Sequence, residues 1–312
     1  MIFTLYFFTK SGLILQTKIT IVILNFNSSQ FTIDCIKSIA SFDCKVSYNI
    51  LIFDNGSNQE DYKKLLQLKS SNVDVIRNEE NLGFASGNME AIKNLKTEYI
   101  FFLNNDTLFY NNVLDPLLEF CEENLTAGIC APQLFNQDDT LHATFDYFPT
   151  LATKIFGVGF VKLFSRRKFH KKDLIRTNPL KVELVSGSAM FVRKSAFDSI
   201  GGFDKTFFLY CEEEDLALRM NKNNFDVFLV PTAKVKHIGG GSTGRNLLLE
   251  KEFYISFNYF YKKHYGLLKA FIIRLFLFLK IAKKYKRDRL NWELAKFILY
   301  NPSPDESMRF RK

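Results

Sequence analysis

The sequence predicts an α/β fold in which a mainly parallel, doubly wound sheet is covered by helices. Apolar runs rich in β-branched residues alternate with amphipathic segments between residues 19 and 121, which is the pattern of βαβ units. Polar residues follow these runs, where open α/β sheets bind their ligands. The 312 residues are 47% hydrophobic and 24% charged, and this composition excludes a disordered or low-complexity chain.

The elements of this alternation have recognisable boundaries. The apolar run ITIVIL ends at Asn25, and Ser29 is the predicted N-cap of the helix that follows. Pro116 lies near the first turn of the fourth helix, where proline is tolerated. In chain order the predicted strands cover 19–24, 48–53, 73–76 and 99–103, and the predicted helices begin at Ser29 and then cover 62–68, 85–95 and 113–121.

The pattern changes after residue 130. Residues 136–180 read as irregular because proline and glycine interrupt them, and a strand over 182–192 is broken at Ser186-Gly187-Ser188. A helix then opens at 212–215, and a strand over 226–230 precedes His237. We predict one domain over 18–265 between a leader over 1–17 and a C-terminal segment over 266–312. Lysines interrupt the leader too early for a membrane-spanning helix.

The net charge of +9 is concentrated in two segments. Residues 162–173 carry a net charge of +5 and residues 266–289 one of +7, so the rest of the chain is slightly acidic. A nucleic-acid-binding protein would carry basic residues along its body, and we predict no nucleic-acid partner. The second segment mixes its cations with apolar residues, which predicts an amphipathic helix in the plane of an anionic membrane surface. Packing of this helix against the domain is the alternative.

Residue spacing excludes three common kinds of site. The five cysteines show no C-x-x-C spacing, which excludes a disulfide framework or a zinc site and predicts reduced thiols in the cytosol. Gly157-Val158-Gly159 lacks the third glycine of a dinucleotide-binding turn. Residues 239–244 have the glycine spacing of a P-loop, but Arg245 and Asn246 stand where lysine and serine or threonine are needed.

Acidic and amide residues that follow the strands are the remaining candidates for chemistry. Asn104-Asn105-Asp106 ends an apolar strand, where a carboxylate suits a hard cation such as Mg²⁺ or Mn²⁺. Asparagine and aspartate are also ordinary turn residues, so both interpretations stay open. Two interpretations also remain for Asp54-Asn55-Gly56-Ser57, which can contact a ribose or a base or can simply form a turn.

The four consecutive acids Glu212-Glu213-Glu214-Asp215 are a stronger candidate. Their mutual repulsion can raise the pKa of a carboxylate toward the range of a general base. The aromatic residues Phe207, Phe208 and Tyr210 before them indicate partial burial, which favours a functional site over a solvated helix start. His237 is either structural or a ligand of a metal or phosphate.

These motifs, in this order, resemble those of the family 2 glycosyltransferases, particularly the bacterial rhamnosyltransferase-like members that build surface polysaccharides. Each motif alone is weak, whereas the ordered set is specific and covers about residues 19–265. The motifs are IVILNFNS at 21–28, DNGS at 54–57, NLGFASGNM at 81–89, FFLNND at 101–106, SGSAMFVRKSAFDSIGGFD at 186–204, FFLYCEEEDLALR at 207–219 and VKHIGGGS at 235–242.

The resemblance implies a Rossmann-like nucleotide-sugar transferase fold of the GT-A type and an inverting, metal-dependent transfer from a nucleotide-diphosphate sugar. It implies that Glu213 is the catalytic base with Asp215 beside it, and that Asp106 and His237 lie at the metal and the diphosphate. The sequence departs from the family pattern at Asn104, where a carboxylate is common, and at Glu213, where aspartate is commoner. The donor-binding residues that the resemblance implies are Asn27, Asp54, Asn81, Gly87, Asn88 and Asn105.

The resemblance also implies a saccharide or polyprenyl-linked saccharide acceptor in the synthesis of cell-surface polysaccharide. Such an acceptor would explain a membrane-facing basic segment, and we expect a cytoplasmic protein that is peripheral at the inner face of the cell membrane. The alternative is a non-catalytic nucleotide-sugar-binding or scaffold protein of the same fold. That alternative leaves the acidic cluster and Asp106 unexplained.

Overall fold

The computed structural model describes residues 17–164, 169–239, 245–286 and 288–310. Most of the predicted leader, part of the first basic segment, most of the glycine run after His237, and Arg287 lie outside these ranges. The strands are β1 Ile19–Asn25, β2 Tyr48–Asn55, β3 Val73–Asn78, β4 Tyr99–Leu103, β5 Thr107–Phe109, β6 Ala127–Phe135, β7 Phe145–Asp146, β8 Leu180–Val182, β9 Leu184–Val185, β10 Ala189–Arg193 and β11 Asp226–His237. The helices are α1 Ser29–Ala40, α2 Gln59–Leu66, α3 Gly83–Ala91, α4 Leu114–Glu123, α5 Leu151–Phe164, α6 Lys194–Ser199, α7 Glu212–Lys222, α8 Leu247–Tyr265, α9 Leu267–Ala282 and α10 Leu290–Leu299.

The central sheet has the strand order β3-β2-β1-β4-β10-β6-β11-β5, with β8 also paired to β11. The pairs β1–β2, β1–β4, β2–β3 and β6–β11 are parallel and include the longest ladders. Strand β10 lies antiparallel between β4 and β6. The predicted α/β class with a mainly parallel sheet is therefore confirmed.

Helices on both faces of the sheet produce two hydrophobic cores. Ile21 and Phe101 contribute to one core, and their neighbours Val22 and Phe102 contribute to the other. Successive strand residues point to opposite faces, so an uninterrupted apolar run is required where both faces are covered. This explains why β1 and β4 were recognisable from sequence.

Several predicted boundaries are shifted. Strand β4 has its predicted bounds, whereas β2 continues through Asp54 and Asn55, which pair with Arg77 and Asn78 of β3. The cap of α1 is Ser28 rather than Ser29, and it makes no side-chain capping bond. Strand β11 continues to His237 because β5 and β6 pair with its second half.

The prediction that residues 136–180 are irregular is wrong in part, because they contain β7 and α5. The sequence of α5 is apolar around most of its circumference, so no helical stripe marks it. Gly157 bends the helix with φ 82° and ψ 158°, a conformation that other residues rarely adopt. The glycines that suggested a loop therefore mark a kink.

The C-terminal helices pack on the sheet domain. Ala270 and Ile273 of α9 are buried in one of the two main cores. Glu252 of α8 is buried and accepts hydrogen bonds from Ser307 Oγ and the Met308 N–H, both at 2.8 Å, which ties the chain end to α8. None of the helices among the described residues is long and apolar enough to cross a membrane.

Candidate active site

The carboxyl ends of β1, β2 and β4 meet at one edge of the sheet. Asn25 at the end of β1 places its Nδ2 at 3.2 Å from Asp54 Oδ1, 3.0 Å from Ser57 Oγ and 2.8 Å from Asp61 Oδ2. Its Oδ1 accepts a hydrogen bond from Thr32 at 2.9 Å. Asn25 is fully buried, so this network fixes the ends of β1 and β2 at the sheet edge where open α/β sheets bind their ligands, and we call this edge the crevice.

Asp54 has one carboxylate oxygen without a hydrogen bond. The residue is fully buried, Oδ1 accepts from Asn25, and Oδ2 has no hydrogen-bond partner among the described residues. The nearest cation is Arg77, whose Nε lies 3.9 Å from Oδ2, while its Nη2 donates to Ser57 O at 3.0 Å. A buried acceptor without a donor is costly, and a hydroxyl or N–H of a ligand would satisfy it.

Asn55 and Asn81 shape the loop between β3 and α3. Asn55 Nδ2 donates to Asn81 Oδ1 and to Gly83 O, both at 3.1 Å, and its Oδ1 accepts from the Leu82 N–H. Asn81 Oδ1 also accepts the Gly83 N–H at 2.9 Å. These bonds hold Asn81 against Asn55, the residue that follows Asp54, although the two motifs are separated in the sequence.

Gly87 and Asn88 support this loop from α3. A Cβ on Gly87 would lie 3.1 Å from Asn55 Nδ2, so a larger residue here would have to displace the Asn55 amide by a few tenths of an ångström. Asn88 is buried and donates to Phe84 O at 3.1 Å within its own helix. Gly87 and the buried side chain of Asn88 therefore lie beneath the loop that carries Asn81.

Asn27 and Asn105 approach the crevice from the other side. Asn27 is exposed with φ 50°, and its Oδ1 accepts from the Asn58 N–H at 2.9 Å. Asn105 Nδ2 donates to Ser28 Oγ at 2.7 Å and lies 3.0 Å from Thr32 Oγ1. Asn105 thus ties the end of β4 to the start of α1.

Asp106 and His237 lie next to each other because β5 and β11 pair. Asp106 Oδ1 is 3.2 Å from His237 Nε2, and the Ile238 N–H donates to Asp106 O at 2.9 Å. His142 adds a second imidazole, with its Nε2 at 3.5 Å from His237 Nδ1. Burial and the nearby His237 both lower the pKa of His142.

These residues fit a divalent cation that is held largely by its substrate. A carboxylate and an imidazole at 3.2 Å offer two ligands, and Mg²⁺ or Mn²⁺ commonly takes its other ligands from phosphate and water. No group of three protein ligands occurs in the described part of the chain. A pocket of about 350 Å³, lined in part by His142, His237 and Gly239, leaves room for a diphosphate.

Glu213 lies on the first turn of α7, which follows two residues with left-handed backbone, Tyr210 and Cys211. Burial raises the pKa of Glu213, although the Gly187 N–H and other hydrogen bonds oppose that effect. Its Oε2 has no hydrogen-bond partner within the described ranges. Burial also raises the pKa values of Glu212 and Glu214, and repulsion by Glu213 adds to both. The predicted elevation of pKa in this cluster agrees with these surroundings, and burial is its largest cause.

Asp215 has different surroundings from the three glutamates. It is fully buried, and its carboxylate contacts Arg219 Nη2 at 2.6 Å, Lys263 Nζ at 2.6 Å and His264 Nε2 at 2.7 Å. Burial acts to raise the pKa of Asp215, but the hydrogen bond from His264 and the charges of Arg219 and Lys263 outweigh it and lower the pKa. These contacts favour a role in holding α7 against α8.

Substituting Asp215→Asn is expected to lower the free energy of unfolding by about 3–5 kcal/mol, because the largely buried Arg219 loses the carboxylate that it contacts at 2.6 Å. The pKa of Asp215 is lowered from 3.8 in the folded state, so its stabilisation is present at neutral pH and is lost as the pH falls through the folded pKa. Thermal unfolding of the two proteins should therefore converge in acid. Asp198→Asn is the control, because its half-exposed pair with Lys194 should contribute less than about 1 kcal/mol.

The turn formed by Ser186, Gly187 and Ser188 lies between the segment that carries Asp106 and the helix that carries Glu213. The Asn104 N–H donates to Ser188 O at 2.9 Å, and Gly187 of the same turn contacts Glu213. On the other side, the Phe84 N–H donates to Phe208 O at 2.7 Å, which joins α3 to the segment before α7. Hydrogen bonds therefore link the segments that carry the candidate metal ligands, the crevice and Glu213.

A larger cavity of about 670 Å³ lies among the C-terminal helices, lined in part by Tyr210, Phe253 and Lys284. Arg245 in its wall is paired with Glu250 at 2.7 Å and also with Asp288, so the charges there are largely balanced. It contains neither Asp54 nor Asp106. We therefore centre the candidate active site on the crevice and the smaller pocket.

Sequence reasoning missed several residues of this site. His142 lies in the segment that the sequence predicts to be irregular, and the sequence pattern marks Asn25 only as the end of a strand. Lys263 and His264 contact Asp215 across 48 and 49 positions in the sequence, and no local spacing indicates such a pair. Asn25 could have been found, because an amide at the end of a strand that is buried on both faces needs buried hydrogen-bond partners.

The chain belongs to glycosyl transferase family 2, whose family model matches residues 20–201. The segment with Glu213, Asp215 and His237 lies beyond that match. The chain is 26% identical over 212 residues to N-acetylglucosaminyl-diphospho-decaprenol L-rhamnosyltransferase of Mycobacterium tuberculosis, an alignment of 64% of this chain and 69% of the relative. It is 29% identical over 166 residues to rhamnosyltransferase WbbL of Escherichia coli K12, covering 50% and 60% of the two chains.

Two further similarities agree with this assignment. The O-antigen chain rhamnosyltransferase WbaN of Salmonella anatum is 24% identical over 188 residues, which cover 60% of this chain and 56% of that relative. The crystal structure of GalNAc-T7 with UDP, GalNAc and Mn²⁺ superposes with a TM-score of 0.59 at 14% identity, over 92% of this chain and 56% of that chain. The second similarity supports the GT-A-like fold alone. The predicted family and fold are thereby confirmed.

Proposed function

We propose that the protein is an inverting, metal-dependent hexosyltransferase that moves a sugar from a nucleotide-diphosphate donor to a saccharide or polyprenyl-linked saccharide. The observation that carries this proposal is the Ser186–Ser188 turn, which joins the Asp106 segment on one side to the raised-pKa Glu213 on the other. The rhamnosyltransferase relatives support a role in cell-surface polysaccharide synthesis.

In this proposal the reaction is a single displacement. Glu213 takes the proton of the acceptor hydroxyl at its Oε2, and the oxygen then attacks the anomeric carbon on the face opposite the diphosphate. Asp54 accepts a hydrogen bond from the nucleoside, while Asn27, Asn81 and Asn105, with Gly87 and Asn88 beneath them, shape the donor site. A divalent cation bound by Asp106 and His237 would supply positive charge to the departing diphosphate.

Asp215 acts in this proposal as a positioning residue for Glu213. Both lie in the first turn of α7, and the ion pairs of Asp215 with Arg219 and Lys263 fix that turn. The lowered pKa of Asp215 and its contacts with cations favour this positioning role over a role as a catalytic acid or base.

We also propose that the protein acts on the cytoplasmic side of the cell membrane as a peripheral protein. The basic segment over 266–289 supports this location. The name of the mycobacterial relative, which includes a lipid-linked substrate, supports it as well. Anionic lipid attracts such a segment by about 1 kcal/mol for each nearby lysine or arginine.

Screening the purified protein with UDP-, dTDP- and GDP-linked sugars, with and without Mn²⁺, tests the proposal directly. We expect one donor class to raise the melting temperature and to be hydrolysed slowly without an acceptor. Failure of every donor class to bind would contradict the proposed donor site. Donor binding without hydrolysis or transfer under any condition would favour the non-catalytic alternative.

Substituting Asp54→Asn is expected to weaken nucleotide binding about 10–100-fold, because Oδ2 loses its charge and a charged hydrogen bond contributes about 1.5–3 kcal/mol. Isothermal titration calorimetry with the nucleoside diphosphate measures the effect. Asp74→Asn, at an exposed position of β3, is the control and should bind normally. Unchanged affinity in Asp54→Asn would remove Asp54 from the donor site.

A further inference from the structure

Two helices outside the crevice expose a large number of apolar side chains. Helix α5 packs against α9. On each helix, the apolar side chains that point away from the protein are left uncovered by the described residues. Contiguous exposed apolar surface of this kind is uncommon on soluble monomers and marks a docking surface. The α5–α9 face consists of Phe156, Phe160, Leu163 and Phe164 of α5 and of Leu267, Leu268, Phe271, Ile272, Leu275 and Leu279 of α9.

The α5 half of this face is a row of phenylalanines. Phe156, Phe160 and Phe164 follow one another at four-residue spacing, and their neighbouring ring centroids are 5.4 and 5.2 Å apart. Their exposed fractions are 61%, 50% and 78%. The row has no role in the core of the protein, since it points away from it.

The α9 half divides into three longitudinal zones. Ala270, Ile273 and Ile281 are buried against the protein. Leu268, Phe271, Leu275 and Leu279 form the exposed apolar zone of the α5–α9 face, and lie on one side of the helix at 100° per residue. Lys269 and Lys280 lie between these two zones and are exposed. This is the arrangement of a helix that rests in an interface with its cations at the water boundary.

The charge around this face identifies the occupant. Among the described residues, 147–164 and 169–172 together contain four lysines and no acidic residue, and 253–286 contain eight lysines and arginines and no acidic residue. A second copy of the chain would bring the same positive charge to the interface, and the two copies would repel each other. A negatively charged lipid surface complements both the apolar side chains and the cations.

We propose that the α5–α9 face inserts shallowly into anionic lipid, with α5 contributing as much as the C-terminal segment. Lys154, on the first turn of α5, lies 5.5 Å from the Phe257 ring of α8, and its charge acts to lower the pKa of Glu214, so the beginning of α5 lies on the side of the protein that carries the acidic turn of α7. The inference deepens the proposed function, and rests on it, in one respect: a lipid-linked acceptor would enter the site from this surface. Membrane binding itself depends on no step of sugar transfer.

Sedimentation of the full-length protein with vesicles tests this inference. We expect binding to phosphatidylcholine vesicles that contain phosphatidylglycerol, weaker binding in high salt, and little binding to phosphatidylcholine alone. The double variant Phe156→Ser/Phe160→Ser should bind at least about ten-fold more weakly, and Leu268→Ser/Leu275→Ser should match it. Leu125→Ser is the control, because Leu125 is 79% exposed but lies outside both helices, and it should bind like the wild type.

Melting temperatures should be nearly unchanged in all these variants, because the substituted side chains are exposed. The inference is wrong if the full-length protein ignores anionic vesicles, or if the α5 variant binds as well as the wild type. It is also wrong if the α5 variant only converts a dimer into a monomer in sedimentation velocity. Donor binding, measured on the same samples without vesicles, reports separately on the proposed function.

Discussion

Replacing Glu213 by glutamine is expected to reduce turnover about 10²–10⁴-fold while donor affinity changes little. Glutamine keeps the size of the side chain and its hydrogen bond with Gly187, but it cannot accept the proton of the acceptor. Initial rates of transfer and calorimetric titration of the donor separate the two effects. Near-normal turnover would remove Glu213 from the role of base.

Glu214→Gln is the matched control for this experiment. Glu214 lies on the same helical turn, and burial and repulsion by Glu213 raise its pKa as well. Only Glu213 receives the hydrogen bond from Gly187, in the turn that leads to Asn104. We therefore expect Glu214→Gln to retain most of the turnover, and an equal loss in both variants would show that the charge of the cluster matters more than one carboxylate.

The raised pKa of Glu213 makes two further results of this substitution predictable. The base must be ionised, so the turnover of the wild type should rise with pH through that raised pKa, and this limb should be missing from the residual activity of Glu213→Gln. An ionised carboxyl whose folded pKa lies above its ordinary value of 4.5 destabilises the folded state at neutral pH. The variant should thus melt at a higher temperature than the wild type at neutral pH, and the difference should vanish in acid.

The N-terminal half of the fold was predictable because its strands are buried on both faces. Tyr99–Leu103 is an uninterrupted apolar run, and only a strand covered on both faces needs one. The polar residues after such runs were predictable as a group, because parallel strands end at the same edge. Their individual roles were not: Asn105 binds Ser28 and Asn88 binds Phe84, although both have the residue type of a ligand contact.

In the C-terminal half of the chain, the surroundings of the site residues depend on contacts with residues far away in the sequence, which a local pattern does not reveal. The same acidic run contains Glu213, with a raised pKa, and Asp215, with a lowered one. The difference comes from His264 and Lys263 on α8, together with Arg219 one turn further along α7. Adjacent charges in a sequence say nothing about such cations. Helix α5 was missed for a related reason, since its exposed phenylalanines contradict the amphipathic pattern of a helix on a soluble protein.

Replacing Asp106 by alanine is expected to reduce transfer by at least about 10²-fold and to abolish its dependence on a divalent cation. Neutralisation of a leaving diphosphate contributes several kcal/mol to the transition state, and each 1.4 kcal/mol corresponds to a factor of ten in rate. In this chain Asn104 stands where a second carboxylate is common in the family, so Asp106 would supply most of the negative charge for the cation. The expected loss is correspondingly large for a single carboxylate.

The measurement compares transfer rates with Mn²⁺ and with EDTA, and follows Mn²⁺ binding by electron paramagnetic resonance in the presence of a nucleoside diphosphate. Asp138→Ala is the control, because Asp138 lines the same pocket as His237 but is exposed and hydrogen-bonds to Thr140. The backbone contact between Asp106 O and Ile238 remains in Asp106→Ala, so the pairing of β5 with β11 should be preserved and the melting temperature should change little. Full transfer by Asp106→Ala in EDTA would exclude Asp106 as a metal ligand. Equal losses of transfer in Asp106→Ala and Asp138→Ala would mean that the general negative charge of the pocket, rather than metal coordination, accounts for the effect.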